Sequence, residues 1–108
     1  MLKIVTAFFL MIHMVSVLYA DSGKPLTGKK VFETYCWGCH HQTAVAFGPS
    51  FAQIASQRNR DEIRGMITDP EAVSKVLGYK RNAMPAFKLT SDELTLISEY
   101  ILSYKESK

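Results

Sequence analysis

The strongest constraint on this chain is the placement of its only two cysteines. They lie in the run Cys36-Trp37-Gly38-Cys39-His40, three residues apart, and the second directly precedes a histidine. A disulfide between residues so close in sequence closes too short a loop to restrict much of the unfolded chain. The chain has 108 residues, enough for one small domain, and domains of this size often need a disulfide, metal or cofactor to complete the core. The cysteine spacing therefore needs another explanation.

The spacing C-x-x-C-H is typical of a c-type haem attachment site. On a helical turn, positions i, i+3 and i+4 share one face, so both thiols and the imidazole face the same object. Cys36 and Cys39 can form thioethers with two vinyl groups of one haem, and His40 can bind its iron. Two alternatives are weaker. A thioredoxin-like redox pair needs a strand and a helix around it, and a zinc site needs a second ligand pair further along the chain.

Residues 1–20 differ in composition from the rest of the chain. They contain 16 apolar residues. A lysine lies near their start, at position 3, and the segment ends in Ala20 before Asp21. This layout predicts a signal peptide that is cleaved after Ala20. The alternative is an uncleaved anchor over residues 2–20, which is just long enough to span a bilayer. Both alternatives make residues 21–108 an exported domain, which we expect in the periplasm.

Helix-capping signals recur along residues 21–108. Helices are predicted from Thr27 to the cysteines, from Asn59, from Asp69-Pro70 to Gly78, and from the capping box that Thr90 forms with Glu93. Residues 41–50 end in a Gly-Pro turn and predict a loop. No segment alternates in the way that a strand requires. The predicted fold is all-α, with about four to five short helices and long connecting loops.

Met84 is the candidate for a second iron ligand. It lies in an irregular stretch before the last helix and is followed by Pro85. A methionine in a loop is unusual as core packing, because loops run over the surface, but its thioether could reach an iron atom. The alternative is that Met84 fills a gap in the core. Met66 has the spacing of a core residue on its helix, and His41 is expected to anchor the loop.

Together these features resemble a class I c-type cytochrome over roughly residues 25–104. The resemblance implies a cytochrome c fold wrapped around one covalently bound haem c, with His40 and Met84 as axial ligands. It also implies that the Pro49 carbonyl accepts a hydrogen bond from the free ring nitrogen of His40. In this family the first and last helices cross through a small residue and aromatic residues, and Gly28, Phe32 and Tyr100 match that pattern.

Two filled axial positions leave no place for a substrate on the iron, so we expect an electron carrier of a respiratory chain and not an enzyme. The alternative is a haem c subunit of a larger periplasmic oxidoreductase, such as a sulfur-oxidising or terminal oxidase complex. Basic residues near Met84 and near the first helix could attract an acidic redox partner: Lys80, Arg81 and Lys88, and Lys24, Lys29 and Lys30. The formal net charge of only +3 and the absence of a recognised motif argue against nucleic-acid binding. Contact with a membrane is expected only through an uncleaved leader.

Overall fold

The computed structural model describes residues 26–106, and this part of the chain is helical without strands. The helices are α1 (Gly28–Val31), a π-helical segment (Phe32–Cys36), α2 (Phe51–Gln57), α3 (Arg60–Thr68), α4 (Pro70–Val76) and α5 (Ser91–Leu102). The all-α prediction is confirmed. None of the helices in this range is long and apolar enough to cross a membrane. The predicted leader, residues 1–20, and Lys24 lie outside the described residues.

The first helix begins and ends where the sequence predicts. The Thr27 side chain accepts a hydrogen bond from the backbone N–H of Lys30, at 3.1 Å, and caps α1. After one α-helical turn the hydrogen-bond pattern widens, and the N–H of Trp37 donates to the carbonyl of Phe32 at 3.0 Å. The helix predicted up to the cysteines is therefore present, and its second part, Phe32–Cys36, is π-helical. Cys36 is the last residue of this π-helical segment.

Helix α2 was not predicted from the sequence. Ser50 caps this helix by accepting a hydrogen bond from the N–H of Gln53 at 3.1 Å. The helix buries Phe51 and Ala55, which are four residues apart and share one face. Arg58 is its C-cap, and α3 begins only two residues later. The apolar pattern of α2 covers only seven residues and closely follows the Gly-Pro turn, so the sequence pattern did not indicate a helix here.

The caps of the later helices follow the sequence prediction. Asn59 and Glu62 form a complete capping box at the start of α3, and Thr90 and Glu93 form one at the start of α5. Asp69 caps α4, and Gly78 follows that helix with φ +86°, a conformation that glycine adopts without a steric penalty. Between α4 and α5 the chain runs without regular structure, and Met84 lies in this segment.

The core forms where α1 and the π-helical segment cross α5. Gly28 permits this crossing, because a Cβ built at Gly28 would lie 2.5 Å from the carbonyl oxygen of Leu96 and 2.6 Å from the Cβ of Tyr100. The Phe32 ring packs 5.8 Å from the Tyr100 ring. The buried apolar residues of the core are Val31, Phe32, Phe51, Ile63, Ile67, Ile97 and Ile101. The crossing that the resemblance implied is present. Met66, for which the sequence predicted core packing, is only half-buried and lies outside this buried set.

Candidate functional site

Both cysteines lie on one hydrogen-bonded turn that continues from the π-helical segment. The carbonyl of Cys36 accepts hydrogen bonds from the N–H of Cys39, at 3.1 Å, and from the N–H of His40, at 3.0 Å. Both thiols are free; Cys36 is half-buried against the core and Cys39 is exposed. A single turn therefore presents two thiols and an imidazole. Cys36 is the last residue of the π-helical segment, and Cys39 and His40 lie just beyond it.

The Cys36 thiol is uncharged in this setting. Burial against the core, with a smaller effect of the neighbouring Cys39, raises the pKa of Cys36 to about 11. At neutral pH the side chain is therefore a protonated, largely apolar thiol. The thiol packs against the apolar core of the domain.

The orientation of His40 is set by its neighbours. Its Nδ1 lies 2.7 Å from the carbonyl oxygen of Pro49. A carbonyl can only accept, so Nδ1 donates the proton and the neutral ring keeps its lone pair on Nε2. The ring also stacks on Phe51, with 5.8 Å between centroids. The contact between His40 and Pro49 that the resemblance implied is present, and it leaves Nε2 for another partner.

The loop of residues 41–50 holds Pro49 in place through its own hydrogen bonds. Nδ1 of His41 accepts from the N–H groups of Thr43 and Ala44, both at 3.2 Å, so His41 anchors the loop as expected. The N–H of Gly48 donates to the carbonyl of Cys39 at 2.8 Å. This last bond ties the Gly-Pro turn directly to the cysteine turn.

Met84 approaches the core from the irregular segment after α4. Its side chain is half-buried and packs against the core, as does Cys36. The segment is secured on its far side by a 2.8 Å hydrogen bond from the N–H of Phe87 to the carbonyl of Ile67 in α3. The structure thus places Met84 and the cysteine turn against one core, although 44 residues separate Met84 from His40 along the chain.

A cleft of about 430 Å³ opens between α4 and the Met84 segment. Tyr79, Lys80, Arg81 and Met84 contribute to its lining. Beside it, Arg58 donates to the hydroxyl of Tyr79 at 2.9 Å, with its guanidinium carbon 5.2 Å from the centre of the tyrosine ring. The Nε of Arg58 is buried and has no hydrogen-bond partner among residues 26–106. An acidic group at this position would satisfy that N–H.

A comparison with protein-family models identifies the family. The model for cytochrome c matches residues 26–105, which is most of the chain. The chain belongs to the cytochrome c family. The match includes every predicted site residue from Cys36 to Met84. Proteins of this family carry covalently bound haem c and transfer electrons to redox partners, so the cytochrome is a haem c protein of electron transfer.

Comparison with solved structures supports the fold. The cytochrome is similar to the cytochrome c domain of the pp3183 protein from Pseudomonas putida, with a TM-score of 0.57 and 21% sequence identity. The superposition covers 71% of this chain and 86% of that chain. The helical fold is therefore a cytochrome c fold. A search of curated protein sequences finds no match.

The residues of the cytochrome fit haem c in their chemistry. Two free thiols and an imidazole with a free Nε2 lie on one turn, and a thioether lies against the same core. The buried N–H of Arg58 is the complement of a propionate carboxylate. Arg58 was not predicted from the sequence, because no motif marks it. No role was predicted for Gly48 or Asn82 either, since their roles depend on contacts that spacing alone does not show.

Proposed function

We propose that this cytochrome is a one-electron carrier in which His40 and Met84 are the axial ligands of a single haem. The observation that carries this proposal is the hydrogen bond from His40 Nδ1 to the Pro49 carbonyl, because it leaves Nε2 as the only ring nitrogen with a lone pair. Cys36 and Cys39 would hold the macrocycle as thioethers beside that nitrogen. Met84 would provide the opposite ligand from the segment after α4.

Haem c supplies one-electron redox chemistry when it is bound. The chain's own residues then set the conditions for that chemistry. Donation from His40 Nδ1 to Pro49 fixes the ring orientation and makes Nε2 a stronger donor. A methionine thioether opposite histidine favours the reduced state and raises the reduction potential. With both axial positions taken by side chains, we propose outer-sphere electron transfer and no catalysis at the metal.

The charge around Met84 supports an acidic redox partner. Lys80 and Arg81 are exposed and line the cleft that also contains Met84, where with Lys75 they outnumber the two lining carboxylates, Asp69 and Glu71. The ion pairs among residues 26–106 are Arg58–Glu62 and Arg60–Glu99, so carboxylates of the described chain leave both cations unpaired. Lys29, Lys30 and Lys88 are exposed as well. We propose that the partner docks on the side of Lys80 and Arg81 through its own carboxylates.

The leader supports a location outside the cytoplasm. Residues 1–20 have the composition of a signal peptide or membrane anchor, and we propose that the cytochrome acts in the periplasm of a respiring bacterium. The intact mass of the exported protein would test this location, because it reports cleavage after Ala20 together with covalent haem. A mass that includes residues 1–20 would identify an anchored carrier.

A subunit role in a larger oxidoreductase is the second candidate. Three large apolar side chains near the cysteine turn are mostly exposed in this chain: Trp37 at 70%, Val45 at 75% and Phe47 at 96%. Exposed apolar side chains that form one contiguous patch mark contact surfaces, and we propose that these three form such a patch. Purification from the native membrane and periplasmic fractions distinguishes the candidates, since a stable complex with other subunits supports this role and a free monomer supports the diffusing carrier.

The ligand set is tested by Met84→Ala. The ferric wild-type protein should show the near-infrared charge-transfer band of an iron–thioether bond. The variant should lose this band, have a lower reduction potential and bind carbon monoxide when reduced. Met66→Ala is the matched control, because Met66 is also half-buried but belongs to α3, and it should retain all three wild-type properties. A wild-type protein without the band, or a Met84→Ala variant indistinguishable from it, would show that the sixth ligand is another group.

A further inference from the structure

The Asn82 side chain is bonded to both polar groups of the Met84 backbone. Its Oδ1 accepts from the N–H of Met84 at 3.1 Å, and its Nδ2 donates to the carbonyl of Met84 at 3.0 Å. Both bonds join the Asn82 side chain to the backbone of one residue, Met84. Asn82 therefore holds the peptide groups on both sides of the Met84 Cα.

These two bonds are the only hydrogen bonds that residues 80–86 form within the described chain. The neighbouring attachments are the bond from the N–H of Tyr79 to the carbonyl of Ser74, at 2.9 Å, and the bond from the N–H of Phe87 to the carbonyl of Ile67, at 2.8 Å. Between these points no helix supports the backbone. Consequently the position of Met84 depends on its side-chain packing, on Pro85 and on Asn82.

The side chain at position 82 must have both a donor and an acceptor to make this contact. An amide has both on one short planar group, whereas a carboxylate only accepts and an alanine does neither. Pro85 adds a second constraint, since a residue before proline is confined to extended conformations. Methionine itself has three rotatable side-chain bonds, so its sulfur is well placed only if the backbone is held.

We propose that Asn82 is a positioning residue that keeps the Met84 thioether on the iron. This inference rests on the proposed function, in which Met84 is the axial ligand. Loss of the two bonds frees the backbone of residues 80–86 and shifts the population toward forms in which Met84 is displaced. The bonds are solvent-exposed, so the expected increase in the displaced form is modest, about three- to tenfold.

The test compares Asn82→Ala and Asn82→Asp with the wild-type holoprotein. Both variants should weaken the iron–thioether band and bind carbon monoxide to the reduced protein about three- to tenfold more readily than wild type. Asn82→Ala should also lower the reduction potential. Asn82→Asp retains the acceptor but places a carboxylate oxygen against the Met84 carbonyl. We therefore expect its carbon monoxide binding to resemble that of Asn82→Ala and not that of the wild-type protein. Its added charge affects the potential directly, and ligand binding is the appropriate readout for that variant.

Asn59→Ala is the matched control. Asn59 also accepts a backbone N–H, that of Glu62 at 2.9 Å, but it caps α3 far along the chain from Met84. This variant should lower the melting temperature and leave the band and carbon monoxide binding unchanged. If Asn82→Ala changes only the melting temperature, as Asn59→Ala does, the positioning role is wrong. A wild-type protein that lacks the thioether band contradicts the ligand assignment itself, which is a different result.

Discussion

Gly48 lies directly against the imidazole of His40. A Cβ built at Gly48 would come within 2.8 Å of the Nδ1 of His40 and still closer to the neighbouring Cε1. The same nitrogen donates to the carbonyl of Pro49, the residue that follows Gly48. The absence of a side chain at position 48 therefore allows the loop carbonyl to reach the histidine ring. This requirement is steric, since no positive φ at Gly48 is involved.

Gly48→Ala should displace His40. The added methyl group must push the ring or the loop aside, which lengthens the hydrogen bond to Pro49 and destabilises the holoprotein by about 1–3 kcal/mol. The visible and electron paramagnetic resonance spectra report the change at the histidine, and thermal melting reports the stability. Gly38→Ala is the control, because a Cβ at Gly38 has no atom within 4 Å. Equal behaviour of the two variants would contradict the steric role of Gly48.

Gly28→Ala should separate the first and last helices. The new Cβ would meet backbone at the Leu96 carbonyl, which cannot move aside as a flexible side chain can. We expect a loss of about 2–3 kcal/mol and a melting temperature lower by roughly 8 °C or more. Gly65→Ala provides the comparison, since the nearest atom there is the tip of the Val73 side chain at 3.0 Å. That variant should be much less affected, because alanine also favours a helix interior.

The capping carboxylate of Glu93 should contribute to the loss of folding stability at low pH. The backbone N–H of Thr90 donates to its carboxylate at 3.0 Å, and this bond lowers the pKa of Glu93 below its ordinary value. The unfolded chain therefore binds the proton more tightly than the folded chain. The bond contributes its full stabilisation above the ordinary carboxyl pKa, and this contribution is lost as the pH falls through the lower folded value.

Glu93→Gln should accordingly reduce the change in melting temperature between about pH 5 and pH 3, since an amide does not titrate. Asp92→Asn is a suitable control, because Asp92 is an exposed carboxylate in the same helical turn but takes no part in the capping box. An unchanged acid profile in Glu93→Gln would assign the sensitivity to other carboxylates.

The proposed docking side predicts a dependence on salt. Replacing Lys80 and Arg81 with glutamine should slow electron transfer to an acidic redox protein by about tenfold at low ionic strength, because electrostatic steering raises the association rate. The difference should shrink as salt approaches 1 M, where charges more than about 3 Å apart are screened. Stopped-flow kinetics with the reduced cytochrome measure this directly. Replacing Lys105, which lies beyond α5, should have a smaller effect. A rate that does not depend on these cations would place the docking surface elsewhere.

Local sequence signals predicted much of this fold. Thr27, Asn59, Asp69 and Thr90 each cap a helix at the predicted position, because a short polar side chain satisfies N–H groups that the first helical turn leaves free. Gly28 and Tyr100 also meet where the resemblance placed them. These features depend on neighbours in sequence or on a recurring family pattern.

The sequence did not reveal contacts that depend on three-dimensional placement. The widened winding at Phe32–Cys36 is not predicted by any residue type in that segment. The Gly48 contact depends on where the loop returns to His40. The unpartnered Nε of Arg58 depends on burial, which spacing cannot predict at the end of a short helix. Each of these features was identified only from the folded chain.

The short sequence span between Cys36 and Pro49 has a consequence for the order of assembly. Both thiols, the imidazole and the carbonyl that orients it come from 14 consecutive residues, so bringing them together costs little loop-closure entropy. Met84 comes from a distant segment, and that segment is secured only after α3 is present to accept the bond from Phe87. We therefore expect the contacts among Cys36, Cys39, His40 and Pro49 to form early in folding and the Met84 segment to pack last. On unfolding we expect the reverse order, with the Met84 segment detaching first.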